Sequence, residues 1–391
     1  MNDPKSPSWD EERVARAALT AVCEAATPGL VHRVSDDGAQ AVWQVLRAAE
    51  PTGRWARRAQ ALDVDKMLAQ AARHQVRFVI PGDAEWPQQL EVLHEIQVAG
   101  QGGAPFGLWV RGPGQLAEWA DSSVAIVGSR ASTAYGDSVA TDLALDLSAP
   151  DGPGWTVVSG GAYGIDAAAH RGVLTTGGRT VAVLAGGLDE PYPRGNARLF
   201  EQLAADHLLV SEVPCGMHPT RTAFLARNRL IAALTNGAII VEAAARSGAN
   251  NTISWAGECG RIVMAVPGPV HSSLSVTPHR LIRDQRATLV SDSRDVRALL
   301  EPLSSAPPLP VGGQSRELDR VPPELMQVRE VLPGRGGLPT GQVAQRAGLP
   351  LAAALASLGQ LEQLELARCD EMGEWHLARP ARSHRVSAGP G

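Results

Sequence analysis

Val124-Ala125-Ile126-Val127-Gly128-Ser129-Arg130 decides the fold: four small or β-branched apolar residues run straight into glycine, a hydroxyl and an arginine. An apolar run without polar alternation is a strand covered on both faces, as in a parallel sheet. Similar runs follow at Trp155–Val158, Thr180–Leu184, Leu208–Val210, Ala238–Val241 and Ile262–Val266. Between them, helical patterning is expected around 136–147, 165–175, 197–205, 224–234 and 252–259. Alternation of this kind predicts an α/β fold, an extended Rossmann-like, doubly wound parallel sheet.

Outward from that core, residues 1–75 are Ala-rich with helical spacing, punctuated by Pro28, Gly29 and Gly38, and read as a small all-α domain. Residues 76–300 hold the core with its lead-in, the core proper being 121–300. In the lead-in, Arg77–Ile80 and Gly107–Val110 read as strands separated by the loop Val98–Pro105. Residues 301–322 are rich in Pro, Gly and Ser and read as a linker. Residues 323–380 carry three helix-like segments and then β-like runs at Leu366–Arg368 and Glu374–Leu377, the order of a winged helix; 381–391 read as a disordered tail.

Open parallel sheets bind ligands beyond the carboxyl ends of their strands. Four such ends carry unusual residues, and all four are expected to converge on one crevice. The first is Gly128-Ser129-Arg130, where glycine lets an anion approach backbone N–H groups and Arg130 supplies charge; a tight turn with a solvated arginine is the alternative. The second is Ser159-Gly160-Gly161-Ala162-Tyr163, where a dinucleotide-binding fold would have an acid for the ribose. Tyr163 there either stacks on a base or packs, and Asp166 beyond it reads as a helix cap. The third is Gly186–Asp189 with Tyr192-Pro193-Arg194-Gly195-Asn196, from which Arg194 and Asn196 are site candidates. The fourth is Arg227-Asn228-Arg229 at a helix start, together with Ser247-Gly248; one of these arginines could instead be held by Glu242.

Composition narrows the chemistry. The chain has 391 residues and a net charge of −5, so any nucleic-acid site must be a local basic patch on an acidic background. The only lysines are Lys5 and Lys66, so the core cannot hold a P-loop, which needs one. Four scattered cysteines without a CxxC pair read as reduced cytosolic thiols, and no apolar run approaches the ~20 residues of a membrane span. Histidines stand at no metal-ligand spacing, no G-x-S-x-G elbow is present, and neither metal nor cofactor nor catalytic residue is expected.

Taken together, VAIVGSR at 124–130, VSGGAYGIDAAAHRG at 158–172, TVAVLAGGLDEPYPRGNARL at 180–199 and SEVPCGMHPTRTAFLARNRLIAAL at 211–234 resemble the DNA-processing protein A (DprA, or Smf) family. VEAAARSGANNT at 241–252 and RIVMAVPGPV at 261–270 continue the match in the family's order over about 180 residues. The resemblance implies an N-terminal SAM-like domain, the Rossmann-like core and a C-terminal winged helix. It also implies single-stranded-DNA binding without catalysis, a homodimer, and loading of the RecA recombinase during natural transformation and recombination, with single-stranded-DNA-binding protein as a further partner. Carried over by position, Gly128, Ser129, Arg130, Ser159, Gly160, Gly161, Arg194, Arg227, Asn228 and Arg229 would face the DNA backbone. Tyr163 stands where many members have lysine.

Two other functions share parts of this pattern. A nucleotide-processing, phosphoribohydrolase-like enzyme shares this architecture but carries P-G-G-x-G-T, where this chain reads Glu242-Ala-Ala-Ala-Arg246-Ser247-Gly248. A winged-helix adaptor reading duplex DNA is opposed by Glu362, Glu365, Asp370, Glu371 and Glu374 set against Arg368 alone.

Overall fold

The structure, a computed structural model, describes residues 9–149, 154–301 and 321–378; most of the expected linker and the tail after 381 lie outside them. The chain divides into two compact units, Met1–Pro308 and Leu309–Gly391. In the first, helices α1 (Glu11–Val22), α2 (Pro28–Asp37), α3 (Ala39–Ala48), α4 (Arg54–Ala61) and α5 (Val64–Arg73) come first. Strand β1 (Val76–Val79), a hairpin of β2 (Gln97–Val98) and β3 (Gln101–Gly102), β4 (Leu108–Arg111) and α6 (Leu116–Asp121) follow. Then come β5 (Ser123–Val127), α7 (Ala134–Ser148), β6 (Thr156–Ser159), α8 (Ile165–Leu174), β7 (Thr180–Leu184), α9 (Ala197–Asp206) and β8 (Leu208–Ser211). The unit ends with α10 (Arg221–Ala233), β9 (Gly237–Ile240), α11 (Ala249–Glu258), β10 (Ile262–Ala265), α12 (Val276–Arg283), β11 (Thr288–Leu289) and α13 (Ser293–Leu300).

Nine strands form one sheet in the order β1-β4-β8-β7-β6-β5-β9-β10-β11. From β8 to β11 every pairing is parallel, while β4 and β1 add antiparallel strands at one edge. The apolar run read from the sequence explains the layering. Ala125 and Val127 pack in one core cluster with α10 and α11, Val124 and Ile126 in another with α7 and α8, so both faces of β5 are covered. Strand order reverses between β5 and β9, the switch point at which such sheets open a crevice.

The N-terminal helices are seated on this sheet. Ala17 and Ala21 of α1 and Met67 and Ala71 of α5 share one buried cluster with Phe78, Trp109, Phe200 and Leu209. Trp109 Nε1 donates to Thr20 Oγ1 at 3.1 Å, and Arg13 is bidentate to Asp83 at 2.7 Å, joining α1 to the turn after β1. Helices α1 to α5 lie in the same compact unit as the sheet, and small alanine faces let α1 and α5 approach its antiparallel edge.

In the second unit, α14 (Pro323–Glu330), β12 (Leu338–Pro339), α15 (Thr340–Ala347), α16 (Leu351–Gln363), β13 (Ala367–Cys369) and β14 (Glu374–Leu377) surround a core of Val328, Val343, Leu358, Leu361 and Trp375. Its three strands pair in the order β12-β14-β13. No helix of the described residues is long and apolar enough to cross a membrane.

Candidate nucleic-acid interface

A pocket of about 770 Å³ opens at the switch point, lined by the end of β5, the loops that follow β5 and β9, the first turns of α8 and α11, and α10 from Arg221 to Ile231. Helix N-termini carry partial positive charge, which favours an anion, although several first-turn N–H groups are taken inside the protein, Ile165 N–H by Ser129 O and Ala223 N–H by Thr220 Oγ1. Arg130, Arg221, Arg227 and Arg246 add four guanidinium groups. Arg130, Arg221 and Arg246 are exposed at the mouth, whereas Arg227 is 7% exposed. Among the described residues none of the four joins an ion pair, in contrast to Arg194 and Arg229, which do.

Arg221 opens α10 directly after Thr220, whose side chain caps the helix by accepting from Ala223 N at 3.1 Å. A cation in a first turn opposes the helix dipole. Its position there makes sense for an anion that both charges serve. Arg130 lies 5.2 Å from the centre of the half-buried Phe224 ring. Arg227 Nη1 donates to Val183 O at 2.6 Å, but its Nε has no partner. Burial pulls this guanidinium down to about 10, with the Arg130 charge adding to the effect and Asp166 opposing it. Gly160 makes room for it: a Cβ at that position would meet the Arg227 guanidinium at under 3 Å.

Asp166 is the acid of the pocket. Burial holds its carboxyl above the ordinary carboxylate range, against the pull of the Arg227 charge and the Ala162 N–H, which donates to it at 3.3 Å. The capping position expected for Asp166 is held by Gly164, at φ +73°, and Asp166 lies inside the first turn of α8, where it ties down the loop before the helix.

The four strand ends do not all converge. Gly128, Ser129, Arg130, Arg227, Asn228, Ser247 and Gly248 line the pocket together. Gly128 is required there, because a Cβ would strike Ile165 and Glu242 O. The expected nest of bare amides is absent at Ser129: its N–H donates to Glu242 O at 2.6 Å, and Ala131 N–H is taken by Ser129 Oγ at 3.2 Å. Charge at this strand end comes from the Arg130 side chain. Ser159 is fully buried and donates to Ile126 O at 2.7 Å, which locks β6 to β5 and removes it from the site. Gly161, at φ +66°, packs its bare Cα against Phe200.

Arg229 is the clearest departure. It is 0% exposed and bidentate to Glu212 at 2.5 and 2.7 Å, with Nε donating to Gly103 O, so it cannot reach a ligand. The acid is Glu212 and not Glu242, which accepts from Thr133 N at 2.8 Å and Thr133 Oγ1 at 2.7 Å at the head of α7. Arg194 is solvent-exposed, pairs with Glu190 at 3.2 Å, and lies outside the pocket. Asn196 is buried and donates to Gly161 O and Ala162 O, shaping the second loop from behind. Tyr163 lines a small slot beside the pocket with Tyr192, Pro193 and Phe224.

Sequence reading missed Arg221, Phe224 and Arg246. The first had a signal, a cation straight after a capping threonine. Arg246 stands directly before the site candidates Ser247-Gly248, and folding brings it to the same pocket as Arg130. Among the described residues no group of three or more His, Cys, Asp or Glu could hold a metal ion.

Residues 77–301 match the family model of DNA recombination-mediator protein A. A DprA DNA-processing protein of Mycobacterium tuberculosis is 43% identical over 323 residues, 80% of each chain. The DprA of Streptococcus pneumoniae is 41% identical over 202 residues, 51% of this chain and 68% of that one. Its crystal structure superposes with a TM-score of 0.61 at 30% identity, over 75% of this chain and 98% of that chain. DNA processing protein A of Helicobacter pylori, described for its single-stranded-DNA binding mode, gives a TM-score of 0.50 at 25% identity over 59% of this chain and 97% of that one. This chain therefore belongs to the DNA recombination-mediator protein A (DprA/Smf) family.

Proposed function

We propose that the switch-point pocket binds the phosphate backbone of single-stranded DNA and that the protein delivers the strand to RecA without catalysing a reaction. One observation carries the reading: Arg130, Arg221, Arg227 and Arg246 meet at one pocket, and among the described residues none of them has a carboxylate within ion-pair distance. Three of these guanidinium groups stand at the mouth in reach of an incoming anion and the fourth is buried behind them beside Asp166, so on a chain of net charge −5 the pocket is a local basic patch that draws an anion to itself. The Helicobacter pylori relative, described for binding single-stranded DNA, supports the choice of ligand. Protection of incoming strands, RecA loading in natural transformation and repair, a homodimer, contact with single-stranded-DNA-binding protein, a winged-helix second unit and a cytoplasmic location extend the reading from the family.

Binding of fluorescent single-stranded and duplex oligonucleotides of equal length, across a salt series, tests the ligand. The single strand is expected to bind more tightly with a steep salt slope; equal affinity for both overturns the preference. RecA filament growth on a strand coated with single-stranded-DNA-binding protein tests delivery. Release of free base from nucleoside monophosphates would overturn the non-enzymatic reading.

A further inference from the structure

Phosphate contacts alone do not distinguish a single strand from a duplex, since both present the same backbone. Discrimination needs a group that reads what the stacked duplex hides, namely the faces of the bases. The chain has three tyrosines and four phenylalanines in 391 residues. Two of those tyrosines, Tyr163 at 47% exposed and Tyr192 at 49%, line one slot with Phe224. Arg130, Ala162 and Phe224 belong to both this slot and the arginine pocket, so the two are continuous.

Folding alone does not account for these rings. Tyr135, the third tyrosine, donates from its hydroxyl to Pro267 O at 2.6 Å, whereas neither Tyr163 nor Tyr192 has a hydrogen-bonded hydroxyl among the described residues. The backbone is nonetheless cleared for Tyr163: a Cβ at Gly195 would collide with its ring and hydroxyl. Tyr192 meets Phe224 in a T-shaped contact at 5.8 Å and 66°, and about half of its surface stays open to solvent. The slot itself has only about 30 Å³, room for little more than a water, so a base must lie across its mouth on the exposed ring faces.

We propose that Tyr163 and Tyr192 form a base-stacking platform that takes an unpaired nucleobase while Arg130 holds the neighbouring phosphate. This deepens the backbone-binding reading and rests on it. The platform is tolerant of base identity, because every base offers a π-face, and closed to paired bases, whose faces are covered by their neighbours. It assigns single-strand selectivity to the tyrosines and salt-sensitive affinity to the arginines.

The test compares a short oligonucleotide with an abasic strand of the same length and phosphate count, for wild type, Tyr163→Ala, Tyr192→Ala, the double variant, and Tyr163→Phe with Tyr192→Phe. Both side chains are half-exposed, and unchanged thermal midpoints establish that the variants fold. Wild type is expected to prefer the base-bearing strand by about 10-fold or more. The double alanine variant should bind both strands equally, at the wild-type abasic affinity and with an unchanged salt slope, and the phenylalanine variants should retain the preference. A wild type indifferent to the bases, an alanine variant that keeps the preference, or equal losses on both strands overturns the platform while leaving the backbone site standing. A wild type that binds neither strand overturns both.

Discussion

Arg227 and Arg229, two residues apart on α10, face opposite sides of that helix: Arg227 borders the pocket and Arg229 is buried in a bidentate ion pair with Glu212. At ~100° per residue, positions i and i+2 diverge by about 200°, so one Arg-Asn-Arg triplet supplies one ligand-facing cation and one structural cation. Arg229→Ala leaves Glu212 buried and unpaired and is expected to cost about 3–5 kcal/mol of stability, whereas the Arg229→Met, Glu212→Leu pair should recover most of it. Urea denaturation measures both; an Arg229→Ala protein of wild-type stability would contradict the assignment.

Each mouth arginine should contribute separately to counterion release. Arg130→Ala, Arg221→Ala and Arg246→Ala are expected to flatten log Kd against log salt by about 0.7 apiece on single-stranded DNA. Arg194→Ala, whose side chain lies outside the pocket beside Glu190, should leave the slope unchanged. Anisotropy titrations at four or five salt concentrations decide between these patterns.

Gly160 offers a way to move Arg227 without removing it. A methyl group at Gly160 would occupy the space of the guanidinium, the flexible end of a side chain, so Gly160→Ala should fold and displace Arg227 instead. The variant is expected to keep its stability to within ~1 kcal/mol and to lose single-strand affinity, as is an Arg227→Met variant measured beside it. Loss of folding with no distinct binding defect would show that the glycine serves the backbone alone.

Asp166 opposes the anion it sits beside, and its raised carboxyl pKa gives the direction of the pH dependence. A carboxyl raised in the fold above its unfolded value of 3.8 stabilises the fold at low pH, and that contribution is lost as pH rises through the window above 3.8. For binding the sign is the same: protonation removes the negative charge, so affinity should increase as pH falls through that window. Asp166→Asn should abolish this dependence and bind more tightly at neutral pH, by roughly 1–2 kcal/mol for charges ~10 Å apart at an effective dielectric of ~20. Titrations at fixed ionic strength, with wild type and variant at neutral and acidic pH, supply the comparison.

The sheet was legible because its information is local. Uninterrupted runs such as Val124–Val127 and Thr180–Leu184 state that both faces are buried, and the glycine-bearing ends state where the chain turns back, so strand, helix and crevice follow in order. The order of the motifs likewise placed the chain in its family. By contrast, the identical charges of Arg227 and Arg229 look alike in one dimension, and the acid that claims Arg229 is Glu212, 17 residues earlier, and not the nearer Glu242. Arg246 joins Arg130 only because β9 lies beside β5, and Ser159 leaves the site only because β5 supplies Ile126 O to it. Periodicity encodes which faces are buried; which polar groups are spent inside the protein and which remain for a ligand depends on partners brought together by packing, and only the tertiary structure decides that.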